Sequence, residues 1–183
     1  MQKSAILIIF GVLLVAGGLW LQKGQEAKAP EGPNSDMLEN GKKTPIFTRT
    51  INYYDTVYGF FTAPQADGNY PGVVMVHEWW GLNQNIKDMA ESLAKEGYRV
   101  LAVDLYRGKV ATTREEAQQY RNALTEEDAI ENMQAAVEFL RREGSERIAS
   151  LGWCFGGGKS LELALSGEKL NATVIYYGNL VTS

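Results

Sequence analysis

Two continuous apolar runs in the middle of the chain have the form of strands buried on both faces. Residues 73–76 (VVMV) follow a Pro-Gly pair, and residues 100–103 (VLAV) come shortly after Gly97. Short runs without an intervening polar residue are typical of strands that are covered by helices on both sides. Between the runs, apolar residues recur at the spacing of one helix face, at Ile86, Met89, Ala90, Leu93 and Ala94. The pattern therefore predicts strand, helix, strand.

The same alternation continues towards the C-terminus. Thr113 and Glu116 have the spacing of a capping box and predict the start of one helix, and Thr125 predicts the start of another. The second of these helices is expected to end at Gly144 and has its apolar stripe at Ile130, Met133, Val137 and Leu140. Beyond it, the pattern predicts a strand, a helix and a last strand, over residues 148–151, 155–166 and 172–177.

The edge of the predicted sheet comes earlier in the chain. Residues 46–63 alternate loosely between apolar and polar positions, which predicts a pair of short strands. Repeated strand and helix units predict a mostly parallel sheet with helices on both faces. The expected fold class is therefore α/β, with one domain over residues 46–183.

The N-terminus has a different pattern. Residues 5–21 carry no charged side chain and Lys3 precedes them, which predicts a membrane anchor or signal segment over residues 1–23. An uncleaved anchor with the domain outside the cytoplasm, in the periplasm or at the cell surface, is favoured. The alternative is secretion after cleavage near the small-x-small sequence at residues 27–29. Residues 24–45 are rich in Gly, Pro, Asn and charge and predict a flexible tether.

Composition narrows the function classes. The 183 residues contain 18 Lys+Arg and 22 Asp+Glu, a net charge of −4, so no basic surface for nucleic acid is expected. One Cys and one His exclude a disulfide scaffold and a four-ligand zinc site made by this chain alone. We expect neither a metal nor a cofactor.

The strongest local signal for chemistry is the sequence GWCFGGG at residues 152–158, between a predicted strand and a predicted helix. In a strand-turn-helix elbow of the form G-x-nucleophile-x-G, the two flanking positions must be small so that the backbones can approach each other. Gly152 and Gly156 meet this need, and the N-terminus of the following helix would favour a thiolate at Cys154. The sequence predicts that Cys154 is a nucleophile; the alternative is a small buried residue in a glycine-rich turn.

Four sequence blocks in this order resemble the dienelactone hydrolases, α/β-hydrolases with a cysteine nucleophile: VHEWWGLN at 76–83, AVDLY at 102–106, GWCFGG at 152–157 and YYG at 176–178. The resemblance covers roughly residues 46–178. It implies the α/β-hydrolase fold and a hydrolase of the carboxymethylenebutenolidase type. Such an enzyme acts on the ester or enol-lactone carbonyl of a small-molecule substrate through a cysteine.

The resemblance also implies roles for individual residues. Glu78 corresponds to a glutamate that contacts the cysteine and governs its protonation, since a carboxylate beside a thiol disfavours the thiolate; the alternative is a solvated loop carboxylate. The backbone N–H groups of Phe155 and Trp79 correspond to the oxyanion hole. Arg107 lies near the place of an arginine that binds a substrate carboxylate, with an ordinary surface charge as the alternative.

The chain's one histidine, His77, precedes this glutamate at the end of an early strand. The catalytic histidine of the family lies in a late loop, so we interpret His77 as a buried structural group rather than a general base.

The acid and the base of the catalytic triad have no counterpart after Cys154. That part of the sequence contains neither His nor Asp, only Glu162 and Glu168. The family's last strands carry both groups, so these 183 residues are expected to be part of a longer hydrolase with C-terminal strands missing, and to turn over little substrate on their own. Two alternatives belong to other classes. One is a membrane-tethered, non-catalytic remnant that binds a small acid or a partner subunit, and the weaker one is a thiol redox protein.

Overall fold

The computed structural model describes residues 7–8 and 44–178, which form a seven-stranded sheet with helices on both faces. The strands are β1 (Leu7–Ile8), β2 (Ile46–Tyr54), β3 (Val57–Pro64), β4 (Gly72–Val76), β5 (Arg99–Val103), β6 (Ile148–Trp153) and β7 (Ala172–Tyr176). The helices are α1 (Gln84–Lys95), α2 (Arg114–Ala123), α3 (Glu126–Arg142) and α4 (Phe155–Leu165). The predicted α/β class and the predicted order of elements are confirmed.

The strand order across the sheet is β1-β7-β6-β4-β5-β3-β2. Pairing is parallel from β1 to β5, and β3 pairs antiparallel with both of its neighbours, β5 and β2. Strands β4 and β6 are therefore neighbours in the middle of the sheet although 71 residues lie between them in sequence. The loops that follow β4, β5, β6 and β7 all leave the sheet at one edge, which is where ligand sites of parallel sheets are built.

The continuous apolar runs of β4 and β5 are explained by the two helical layers. Val74 and Val76 belong to the core that includes residues of α3 and α4, whereas Val73 and Met75 pack with residues of α1. Because successive residues of a strand point to opposite faces, a strand between two helical layers needs apolar side chains at every position.

The helix starts follow the predicted caps. Thr113 and Glu116 form a capping box at the start of α2, and the Thr125 hydroxyl accepts a hydrogen bond from the Asp128 N–H at 3.1 Å at the start of α3. The start of α4 differs, since its N-cap residue is Cys154 and no side chain caps it. Unpaired N–H groups at a helix start favour a negative charge nearby.

Most of the predicted anchor and tether lies outside the described residues. Leu7 and Ile8 are described, since they form β1 and pair with Val174 and Ile175 of β7. The anchor over residues 1–23 and the tether over residues 24–45 stay predictions. Within residues 7–8 and 44–178, no helix has the length and hydropathy needed to cross a membrane.

A buried polar network fixes the loop after β5. The Tyr53 hydroxyl donates to Asn132 Oδ1 at 2.5 Å and accepts from the Asp104 N–H at 3.1 Å, which ties β2 and α3 to this loop. The Asp104 carboxylate accepts from the backbone N–H groups of Tyr106 at 2.9 Å and Gly108 at 2.6 Å. Burial raises the pKa of Tyr53, so its hydroxyl stays protonated and keeps donating.

Removing the Tyr53 hydroxyl is expected to destabilise the protein. Tyr53→Phe leaves Asn132 Oδ1 and the Asp104 N–H without their partner in a buried place, which costs about 1–3 kcal/mol of unfolding free energy. Tyr58→Phe is the matched control, because Tyr58 is 58% exposed and its change should stay within about 0.5 kcal/mol. Urea unfolding followed by circular dichroism measures both; equal midpoints would contradict the role of the network.

Candidate active site

Cys154 occupies a strained turn between β6 and α4. Its backbone has φ 52° and ψ −118°, a region that non-glycine residues rarely adopt. The turn is held on both sides, because the Cys154 N–H donates to the Tyr176 carbonyl oxygen at 3.0 Å and the Cys154 carbonyl accepts from the Gly158 N–H at 3.2 Å. Cys154 is exposed, so the turn presents the thiol at the edge of the sheet where the strand-end loops meet.

The two glycines of the elbow allow α4 to start against the sheet. A Cβ atom at Gly152 would collide with the Gly156 carbonyl, and a Cβ atom at Gly156 would collide with the carbonyl groups of Val76 and His77. The predicted need for small residues at both positions is therefore confirmed. The close approach also brings the first turn of α4 directly against the end of β4.

The two predicted oxyanion-hole donors are the N–H groups of Phe155, at the start of α4, and Trp79, in the turn after β4. Phe155 is the first residue of α4, and Trp79 lies in the turn that the Gly81 N–H closes by donating to the Glu78 carbonyl oxygen at 3.2 Å. Neither N–H donates to an acceptor within the part of the chain that the structure describes. That the two amides form an oxyanion hole beside Cys154 stays a prediction.

The Glu78 carboxylate accepts a hydrogen bond from an aromatic side chain in the loop that follows β7. The Tyr177 hydroxyl donates to Glu78 Oε1 at 3.2 Å, and Tyr177 itself has a positive φ of 40°. Among the described residues, Glu78 hydrogen-bonds Tyr177 and not the Cys154 thiol, and its predicted contact with the cysteine stays a prediction. Partial desolvation raises the pKa of Tyr177, and the negative charges of Glu78 and Cys154 raise it further. Tyr177 is therefore close enough to both Glu78 and Cys154 to interact electrostatically with each of them.

His77 is completely buried and both of its ring nitrogens have partners. Nε2 accepts from the Leu105 N–H at 3.1 Å, and Nδ1 lies 2.6 Å from the Glu78 carbonyl oxygen. Burial lowers the pKa of His77, which keeps the ring neutral. This environment agrees with the interpretation of His77 as a structural group.

Arg107 is engaged by two carboxylates. Its guanidinium lies 3.1 Å from Asp55 Oδ2 and 2.6 Å from Asp128 Oδ1, and it lies over the Tyr54 ring at 5.8 Å. The hydrogen bonds that Arg107 donates to Asp128 and Asp55 raise the pKa of its guanidinium. A substrate carboxylate at this place would compete with both aspartates for the same donors.

A cavity of about 200 Å³ adjoins Arg107, between the loop after β5 and the helices α2 and α3. Its lining includes Tyr106, which is buried and whose hydroxyl has no hydrogen-bond partner among the described residues. Burial raises the pKa of Tyr106 to about 12, and the charge of Cys154 contributes to the rise, so the cavity lies close to the elbow. Lys109, also in the lining, lies over the Tyr120 ring at 5.3 Å.

Comparison with known proteins identifies the family to which this elbow belongs. A sequence profile of the dienelactone hydrolase family matches residues 57–183. The chain belongs to the dienelactone hydrolase family. One family relative, Protein usf of Aquifex pyrophilus, is 34% identical over 136 residues, which are 67% of this chain and 56% of that protein. A protein of Aquifex aeolicus, provisionally named a carboxymethylenebutenolidase, is 32% identical over 134 residues, with the same two shares.

Solved structures agree with the family. The protein designated m3DLH superposes with a TM-score of 0.66 at 31% identity, covering 74% of this chain and 61% of its own. A dienelactone hydrolase-like promiscuous phosphotriesterase from metagenomic libraries superposes with a TM-score of 0.64, with the same identity and the same shares. The chain thus spans a little over half the length of the curated relatives that it matches.

The structure brings the predicted residues of the dienelactone hydrolase site together only in part. Glu78 and Trp79 follow β4, and Cys154 and Phe155 follow β6, so all four lie at the same edge of the sheet. The Arg107 guanidinium is instead paired with Asp55, between β2 and β3, and with Asp128 of α3. Sequence reasoning missed the partners that complete this region, namely Tyr177, Tyr106 and Lys109. The YYG block at residues 176–178 was the one available signal for Tyr177, because it stood among the family motifs.

An added methyl group at the elbow is expected to destabilise the fold. The Cβ of Gly156→Ala would collide with two backbone carbonyls that cannot rotate away, at a cost of about 1–3 kcal/mol of unfolding free energy. Gly68→Ala is the control, because its new Cβ would meet only the Tyr70 ring, at 2.9 Å, and that ring can move. Thermal unfolding compares the variants. Similar losses in both would show that the elbow contact is not tight.

Proposed function

We propose that this chain is a hydrolase of ester or enol-lactone carbonyls in which Cys154 is the nucleophile. The observation that carries the proposal is the placement of an exposed cysteine in a strained turn at the uncapped start of α4. Strain of this kind is retained where it serves a site. The uncapped helix start favours negative charge beside it and leaves N–H groups for an oxyanion. Family membership supports the reaction class.

The proposed step is acyl transfer to sulfur. The Cys154 thiolate attacks the carbonyl carbon and forms a C–S bond while the carbonyl oxygen takes up negative charge. The Phe155 and Trp79 N–H groups donate to that oxygen. The intermediate then collapses, the C–O bond to the leaving group breaks, and the alcohol or enol leaves with a proton from solvent. The product on the protein is a thioester.

Glu78 restrains the nucleophile in this proposal. Its carboxylate accepts a hydrogen bond from the Tyr177 hydroxyl, and Tyr177 interacts electrostatically with both Glu78 and Cys154. Like charges repel, so this carboxylate would oppose the build-up of negative charge on sulfur until a substrate separates the two groups. The two side chains form no hydrogen bond to each other.

Hydrolysis of the thioester needs a base that His77 does not provide. It is the single histidine of the 183 residues, and acting as a base would require it to give up its contact with Leu105 or Glu78. We therefore propose that this chain forms the thioester faster than it hydrolyses it.

Acylation with p-nitrophenyl acetate tests the nucleophile. We expect release of about one equivalent of p-nitrophenol per chain, followed by slow turnover, since the first step needs only thiolate and oxyanion hole. Intact mass spectrometry should place one acetyl group on the peptide that contains Cys154. Cys154→Ala is the control and should show neither burst nor acetylation. A burst of the same size in that variant would exclude Cys154.

Removing the charge of Glu78 is expected to speed alkylation of Cys154. Glu78→Gln retains an oxygen acceptor for Tyr177 but no longer repels the thiolate, so the rate with iodoacetamide at neutral pH should rise by roughly fivefold. Glu96→Gln, an exposed change at the end of α1, is the matched control and should leave the rate unaltered. A rate for Glu78→Gln equal to that of the parent would show that Glu78 does not restrain the thiol.

A further inference from the structure

We propose that His77 is a positioning residue for the oxyanion hole: its ring fixes the peptide whose N–H is the Trp79 donor. The inference rests on the proposed function and assigns a task in it to a residue outside the reacting groups. The buried imidazole does not touch the substrate, and it acts through the backbone of the turn that follows β4.

The hydrogen bonds of His77 determine its tautomer. The Leu105 N–H is a donor, so Nε2, 3.1 Å away, has to accept and carries no proton. In the neutral ring the proton is then on Nδ1, which donates to the Glu78 carbonyl oxygen at 2.6 Å. The ring therefore connects the loop after β5 to the turn after β4 with a defined direction of donation.

The Glu78 carbonyl and the Trp79 N–H belong to the same peptide unit. This unit is planar and trans, so fixing the direction of its carbonyl also fixes the direction of its N–H. The Glu78 carbonyl accepts from the Gly81 N–H as well, at 3.2 Å, and the shorter bond from His77 completes the pair of anchors. Donation to the carbonyl also polarises the amide and strengthens its N–H as a donor.

The same ring contacts the residue that supplies the second N–H. His77 stacks on Phe155 with ring centroids 5.9 Å apart and an interplanar angle of 22°, and it packs edge-on against Tyr106 at 4.8 Å. The carbonyl of His77 lies against Gly156 of the elbow. One buried side chain thus sets the turn that holds Trp79 and packs against the first residue of α4.

Two reactions of Cys154 separate positioning from general damage. Acylation by p-nitrophenyl acetate develops an oxyanion, whereas alkylation by iodoacetamide occurs at a saturated carbon and develops none. His77→Phe keeps an aromatic ring but no hydrogen bond. We expect its acylation rate to fall by about tenfold to a hundredfold, which is less than the fall that removal of one oxyanion-hole donor causes. The alkylation rate should stay near that of the parent chain.

His77→Gln is the conservative variant that should restore the acylation rate. Its side-chain amide offers an oxygen to the Leu105 N–H and an N–H to the Glu78 carbonyl, so acylation should return most of the way to the parent rate. Unchanged acylation in His77→Phe, an equal fall of both rates, or no rescue by glutamine would overturn the inference. A parent chain that is alkylated but never acylated would instead overturn the proposed function, and the inference with it.

A measurement on the parent chain does not depend on how the variants fold. Nitrogen NMR of the imidazole should show the neutral form with its proton on Nδ1 throughout pH 5 to 8, because burial and two fixed partners oppose a second proton. A proton on Nε2, or titration of the ring near its ordinary pKa, would contradict the donor to the Glu78 carbonyl and overturn the inference.

Discussion

The site depends on the contact between the start of α4 and the ends of two strands. Gly152 and Gly156 allow the backbone of α4 to approach the backbones of β6 and β4 closely. Cys154, between the two glycines, adopts a strained positive φ of 52°. Such a conformation costs about 1–3 kcal/mol and persists because the surroundings hold it. Here the Tyr176 carbonyl and α4 itself hold it. Because the helix begins directly on the sheet, its unpaired N–H groups, the exposed thiol and the turn after β4 share one small region.

Buried polar groups then set the two neighbouring loops relative to that contact. The Asp104 carboxylate shapes the loop after β5 by accepting hydrogen bonds from the backbone N–H groups of that loop. Tyr53 and Asn132 fix the loop to β2 and α3. His77 joins this loop to the turn after β4. Each of these groups is buried with partners for its polar atoms, and losing one partner would leave another unsatisfied. A shift of either loop would therefore break buried hydrogen bonds. This constraint suits a turn that has to present one N–H in one direction.

Local patterns predicted what depends on local interactions. The apolar runs of β4 and β5, the capping box at Thr113 and the glycine-flanked elbow all express backbone geometry within a few residues, and the structure confirms them. Long-range side-chain pairs were not predictable in this way. Tyr177 meets Glu78 across 99 positions, and Arg107 meets Asp55 across 52. The sequence around Arg107 does not indicate whether its guanidinium is free to bind a substrate or is paired with two aspartates.

The leaving group determines how much help the proposed reaction of Cys154 needs from neighbouring residues. An alkoxide is a poor leaving group and departs readily only when a nearby acid gives it a proton. An enolate spreads its charge and becomes a ketone or aldehyde when it is protonated on carbon, so it needs less help. The single histidine holds its ring proton in the hydrogen bond to the Glu78 carbonyl and does not offer it to a leaving group. In the proposed reaction, an enol ester or enol-lactone therefore makes fewer demands on the residues beside Cys154 than a simple alkyl ester does.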